Sequence, residues 1–176
     1  MAYKIVIDAG HGGSDNGAQY EERKEKDDTL TLALLVGTIL MEKGVNVIFT
    51  RTDDVYETPA QKAHKGNEAE ADYFVSIHRN SSLYPNEYTG VDAQVYSRQG
   101  SAAIMAKNIN KQLEQVGFAN IGIIEQPNLV VLSKTKMPSV LVEVGYINND
   151  ADNALFDAKT YEVAQAIATG ILETLY

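Results

Sequence analysis

The sequence predicts a single α/β domain, residues 1–176, built on a twisted, mostly parallel (mixed) sheet flanked by helices. Three observations carry that expectation. Short β-branched runs alternate with helical periodicities in the order strand, helix, strand, helix, strand, which implies right-handed crossovers and parallel neighbours. Two of those strands lead into a histidine, His11 and His78, so polar chemistry gathers at strand tips, where open α/β sheets place their ligands. A composition of 44% apolar and 22% charged residues, with no linker or repeat, fits one globular core.

The same composition excludes several functions. A formal charge of −9 gives no attraction to nucleic acid, to anionic membranes or to anionic polymers. The absence of cysteine removes disulfides, thiolate metal sites and cysteine nucleophiles together. Any transition-metal site must therefore draw on His11, His64 or His78 with carboxylates. No run approaches a membrane span, and residues 1–4 enter a strand with no signal region.

Taken in order, residues 4–8 read as a buried strand, followed by a glycine-containing turn around His11 and a polar loop to Lys24. Residues 30–43 read as a helix with Leu30, Leu34 and Met41 on one face, acidic residues at its start and Gly44 at its end. Further apolar positions imply that it is buried on more than one side. Residues 45–50 form the next strand, 60–71 a polar helix and 73–78 a third strand ending on His78. Residues 79–90 are a rim loop, 91–97 a strand, and the spacing of Ala102, Ala106, Ile109, Leu113 and Val116 is helical. Residues 120–128 read as irregular, 129–132 as a short strand and 139–145 as a last strand with Glu143 inside an apolar run. A polar stretch, 148–153, precedes a final helix with Ala164, Ile167, Ile171 and Leu175 on one face.

His11, His78 and Glu143 thus converge on one end of the sheet, and the acidic residues Glu21, Glu22 and Glu25 follow His11 closely enough to return to it. Two imidazoles and a carboxylate form the ligand set of a catalytic zinc site with an open position for water. A further carboxylate, not a ligand, would move the water proton to a leaving amine. Glu143 suits that role because its apolar neighbours raise its pKa. Spacing alone does not choose among the three acidic candidates.

At these residues the chain resembles a family. Ile-Asp-Ala-Gly-His-Gly-Gly with Asp15 and Gly17-Ala18, then Glu25-Lys26-Asp27, the segment 71–80 ending Ser-Ile-His-Arg-Asn, and the segment 137–149 with Val-Leu-Val-Glu-Val-Gly resemble the zinc-dependent N-acetylmuramoyl-L-alanine amidases of bacteria and their phages. The resemblance implies one zinc ion held by His11, Glu25 and His78, with Glu143 as the catalytic carboxylate. It implies cleavage of the amide between N-acetylmuramic acid and the L-alanine of the peptidoglycan stem peptide. It also implies an autolysin or endolysin working at the cell envelope or outside the cell. A monomer is expected, with a separate wall-binding module because the charge offers no help against an anionic wall.

Departures from the pattern are Arg79, where the family has a small residue, Lys62 in place of an Arg, and Ile121-Gly122 in place of Arg-Gly. Arg79 is expected to place a cation at the rim of the site. Asp8 is a candidate partner for His11 or a strand cap, Asn80 a candidate for orienting substrate or loop, and Tyr84 and Tyr88 candidates for stacking on sugars. His64, with Lys62 and Lys65, reads as a solvated face, and Asp53-Asp54 as a solvated loop. The rival functions are a binding module on the same fold and a zinc peptidase acting within the stem peptide.

Overall fold

A computed structural model describes residues 2–176. The first strand, β1 (Lys4–Ala9), leads through the His11 turn to a two-residue ladder, β2 (Gln19–Tyr20) and β3 (Arg23–Lys24), and into α1 (Glu25–Glu42). There follow β4 (Asn46–Phe49), α2 (Pro59–Glu68), β5 (Tyr73–Asn80), β6 (Val91–Val95), α3 (Gly100–Val116) and β7 (Asn120–Glu125). The chain ends with α4 (Val130–Ser133), β8 (Ser139–Tyr146), α5 (Asp150–Ala158) and α6 (Thr160–Leu175). One six-stranded sheet has the order β4-β1-β5-β8-β6-β7, parallel throughout except where β6 meets β8.

Strand alternation divides the sheet into two faces. Ile5, Ile7, Val75, Ile77, Val142 and Ala93 point into the larger core, which α1, α3 and α6 close with residues such as Leu32, Ile109 and Ile167. Val6, Phe74 and Leu141 point the other way, into a smaller core closed by Val131 and Leu132 of α4. That second face is only partly roofed, and the polar residues Asp8, Ser76, His78, Glu143 and Asp92 occupy alternate positions on it.

The final helix, α6, buries Ala164, Ile167, Ile171 and Leu175 as its periodicity requires. Several expectations need correction. The first helix begins at Glu25, because the carbonyls of Ala18 and Asn16 accept its first backbone N–H groups. Its buried stripe is Leu32, Ala33, Val36, Ile39 and Leu40, while Met41 is exposed. Residues 120–125 are an edge strand parallel to β6, with Ile123 facing the larger core. Residues 129–132, read as a strand, contribute instead to the single helical turn α4. Both edges of β8 are already paired, by β5 and β6, so this segment satisfies its backbone internally, with Ser133 N–H donating to the Leu129 carbonyl. The polar stretch after β8 starts a separate helix, α5, capped by the Asn149 side chain.

Candidate active site

The turn after β1 puts His11 in a left-handed conformation, φ 62°, which is rare for a residue with a side chain and is held here by a bridge between Gly12 and Asp15. Two buried cations grip the same turn. Lys62 Nζ donates to the carbonyls of Ala9 and His11, and Arg51 donates to those of Ala9 and Gly10. Beneath it, Asp8 is fully buried, accepts from Thr50 and Ser76 hydroxyls at 2.6 Å each and pairs with Lys62 at 2.9 Å. Burial pushes the Asp8 carboxyl up, and Lys62 with the two hydroxyls reverses this, leaving it below its ordinary value.

Asp8 therefore anchors the turn and does not orient His11. That role falls to Asp15: His11 Nδ1–H donates to Asp15 Oδ2 at 2.8 Å, and Gly17 N–H donates to the other oxygen at 3.0 Å. A carboxylate on one ring nitrogen fixes the tautomer and frees the other nitrogen as a ligand. His11 Nε2 lies 3.0 Å from Glu25 Oε2, and His78 Nδ1 lies 3.0 Å from Glu25 Oε1. Ligand atoms of His11, Glu25 and His78 all lie within 4.8 Å of one another. The imidazole rings stand edge to face with centroids 4.9 Å apart.

Glu25 is 3% exposed, while Glu21 and Glu22 are in solvent, so burial separates the three acidic candidates. Ala18 N–H (2.8 Å) and Arg79 N–H (2.9 Å) donate to its two oxygens and aim them. Gly17 makes this possible: its φ is +66°, and a Cβ there would lie 2.5 Å from Glu25 Oε2 and 2.6 Å from His11 Cδ2. Burial pushes the Glu25 carboxyl up, but its bonds to His11 and His78 hold it well below the usual carboxylate range. Burial lowers His11, and Glu25 and Asp15 more than compensate, so its pKa is raised. Borderline nitrogen donors with one anionic oxygen, gathered around one point, are a donor set that fits a divalent transition metal.

Glu143 stands beside this set. It is the register partner of His78 on one side and of Asp92 on the other, so the three side chains leave the same face of the sheet. Its Oε2 is buried and has no hydrogen-bond partner among the described residues. Burial, then the negative charges of Glu25 and Asp92, raise its pKa well above the ordinary carboxyl value against the opposing pull of Arg79. Next to the histidines a cleft of about 280 Å³ opens, walled by Pro59, Leu129, Val130, Val131 and Leu141.

The remaining sequence candidates are placed as follows. Arg79 is not at the rim. It is 2% exposed, lies on the opposite face from His78, bonds to Asp28 and Asn153 and stacks over Phe156 at 4.4 Å. Asn80 ties the rim loop, accepting from Ser81 N–H and donating to Asp92. His64 is exposed beside Glu68 and Lys65 is exposed too, as expected, but Lys62 is not part of that solvated face: it is buried, because its Nζ turns inward to pair with Asp8. Asp54 is less free than expected, since it accepts from Lys26 Nζ and Gly13 N–H. Tyr84 and Tyr88 are exposed on the rim loop. Sequence reasoning missed Asp15 as the partner of His11, although its spacing of four from that histidine in a glycine-rich turn was available.

A strand-tip cluster of two imidazoles and a buried carboxylate, with an unpaired carboxylate one strand away, defines the class: an α/β protein built like a metal-assisted hydrolase. The family model for N-acetylmuramoyl-L-alanine amidase matches residues 5–173, and the chain belongs to that family. It is 34% identical over 172 residues to the probable cell wall amidase LytH of Staphylococcus aureus, covering 95% of this chain and 56% of that one. The chain thus spans about half the length of that relative. The N-acetylmuramoyl-L-alanine amidase from Clostridium difficile 630 superposes with a TM-score of 0.92 at 31% identity, covering 99% of this chain and 97% of the other. The catalytic domain of the amidase CwlV from Bacillus (Paenibacillus) polymyxa var. colistinus gives 0.90 at 36% identity, covering 98% of each chain.

Proposed function

We propose that this chain hydrolyses the amide between N-acetylmuramic acid and L-alanine in peptidoglycan, with one zinc ion held by His11, Glu25 and His78. The observation that carries the reading is the pairing of that donor set with an unpartnered Glu143 in register with His78. Zinc, when bound, supplies Lewis acidity for a carbonyl and lowers the pKa of a water to about 7. The rest of the chemistry belongs to the chain. Asp15 keeps His11 in one tautomer, and the N–H groups of Ala18 and Arg79 keep the Glu25 carboxylate turned toward the histidines.

Glu143 takes the proton of the attacking water and delivers it to the alanyl nitrogen as the C–N bond breaks. A carboxyl whose pKa is raised by burial is a stronger base when ionised and, once protonated, keeps its proton until the more basic alanyl nitrogen takes it, which suits both steps. The apolar wall of the cleft excludes water from the lactyl side of the scissile bond. No described helix is long and apolar enough to cross a membrane, and a charge of −9 gives no attraction to an anionic wall. In this reading the chain acts as a monomer at the cell wall, and a separate binding module brings it there. Zinc titration into chelator-stripped protein tests the reading: one equivalent should restore solubilisation of purified peptidoglycan, and turnover indifferent to zinc and chelator would contradict it.

A further inference from the structure

Beyond Glu143 the strand does something the sheet pattern does not require. His78 pairs with Glu143, but Asn80 pairs with Tyr146, so three residues of β8 answer two of β5. The extra residue is a bulge at Gly145, whose φ of +73° is one that side-chain-bearing residues rarely adopt; a Cβ there would lie 3.1 Å from Phe118 and 3.2 Å from Asp152. In an unbroken strand, Tyr146 would fall on the face opposite Glu143. The bulge returns it to the face of Glu143, His78 and Asn80. Its ring then meets Tyr88 of the rim loop, with centroids 6.0 Å apart and planes 43° from parallel.

The two segments that carry these rings are held by the same carboxylate. Asp152 accepts from Tyr146 N–H at 2.8 Å and from Thr89 Oγ1 and Gly90 N–H at 2.6 and 2.9 Å, which fixes the loop immediately after Tyr88. Asn149 Nδ2 donates to the Tyr88 carbonyl at 3.0 Å, and Asn86 exchanges two hydrogen bonds with Asp150. Tyr88 is 57% exposed on a loop that is tied at every turn. Burial, then the negative charges of Asp92 and Glu143, raise the pKa of the Tyr146 phenol and keep it a donor.

We propose that Tyr146 and Tyr88 form a shelf that seats the stem peptide on the leaving-group side of the scissile amide. The assignment rests on the amidase reading above. Glu143 delivers its proton to the alanyl nitrogen, so the peptide must leave the site past Glu143, and the shelf lies three residues further along the same strand on the same face. Flat aromatic faces pack on peptide planes and methyl groups, and the phenol of Tyr146 donates to a backbone carbonyl. The apolar cleft beside His11 then serves the lactyl and sugar end.

The test compares muramoyl-L-alanine with a muramoyl tripeptide as soluble substrates of the zinc-loaded chain. Wild type should prefer the tripeptide in kcat/KM. Tyr88→Ala, at an exposed position, and Tyr146→Leu should each cut that preference by about tenfold, chiefly through KM for the tripeptide, with Tyr146→Phe retaining part of it. A wild type indifferent to peptide length, a preference unchanged in the variants, or an equal fall on both substrates, as sugar-side stacking would give, would overturn the shelf. Failure of wild type to release amino-terminal alanine from either substrate would overturn the amidase reading itself, and the shelf with it.

Discussion

His78 and Glu143 are register partners across the parallel pair β5–β8, so an imidazole turned toward Glu25 and a carboxylate with an unbonded oxygen leave the sheet side by side. The two side chains differ in their partners. His78 Nδ1 lies 3.0 Å from Glu25 Oε1, while Glu143 Oε2 has no hydrogen-bond partner among the described residues, and the proposed function makes the first a metal ligand and the second the proton carrier.

Glu143→Gln should keep the zinc content of wild type and lose about 10³-fold in kcat, since general acid–base groups contribute ~10²–10⁴. Metal analysis beside steady-state rates checks both halves. Near-normal turnover would remove Glu143 from the chemistry.

The pH profile follows from the direction of the Glu143 shift. As a base it must be ionised in the free enzyme, and its pKa is raised, so kcat/KM should fall as pH drops through a value above the usual carboxylate range. Asp92→Asn removes one of the negative charges responsible, and the acidic limb should move to lower pH. An unmoved limb would mean that another group sets it.

Asp15→Ala deprives His11 of the acceptor at its Nδ1. Loss of such a partner weakens metal affinity by about 10–100-fold, and competition with a zinc-sensitive dye reads this directly. Asp8→Asn, which leaves that bond intact, should bind zinc far more nearly as wild type does.

Lys62→Met strands the Asp8 carboxylate in the sheet, and breaking a buried pair in this way costs about 3–5 kcal/mol. Adding Asp8→Asn should recover much of the loss in urea denaturation at pH 7. The Asp8 pKa is lowered on folding, so its contribution is present above the unfolded carboxyl pKa and is lost as pH falls through the lower folded value. The wild-type advantage over the double variant should accordingly shrink on acidification.

Arg79→Ala tests the correction of its position. The side chain reaches Asp28, Asn153 and Phe156 and no part of the cleft, so the variant should lose about 2–4 kcal/mol of stability and leave KM for muramoyl substrates where it was. A raised KM with unchanged stability would return Arg79 to the rim.

Much of the site could be read before any coordinates. His11, His78 and Glu143 end or interrupt apolar strands, and that signal survives because a parallel sheet delivers strand tips to one edge. Glu25 is different: an acid in the first turn of a helix already has a reason to be there, the helix dipole, so spacing does not choose it over Glu21 and Glu22; the Glu25-Lys26-Asp27 resemblance points to it, and its burial separates it from the other two. Arg79 departs from its expected place at the rim because β5 runs two residues past His78. Carried on to Asn80, simple alternation puts Arg79 on the opposite face. Residues 120–125 and 129–132 differ from the sequence reading because short apolar runs do not separate strand from helix, and the decision there is made by which edges of the sheet remain unpaired.

The most direct test of the central claim is end-group analysis after digesting purified peptidoglycan with the zinc-loaded chain, with and without chelator. Newly exposed amino-terminal L-alanine, abolished by the chelator and unaccompanied by new reducing sugar, is the predicted result. A different amino terminus would make the chain a peptidase, and no new end group with full zinc occupancy would make it a binding module.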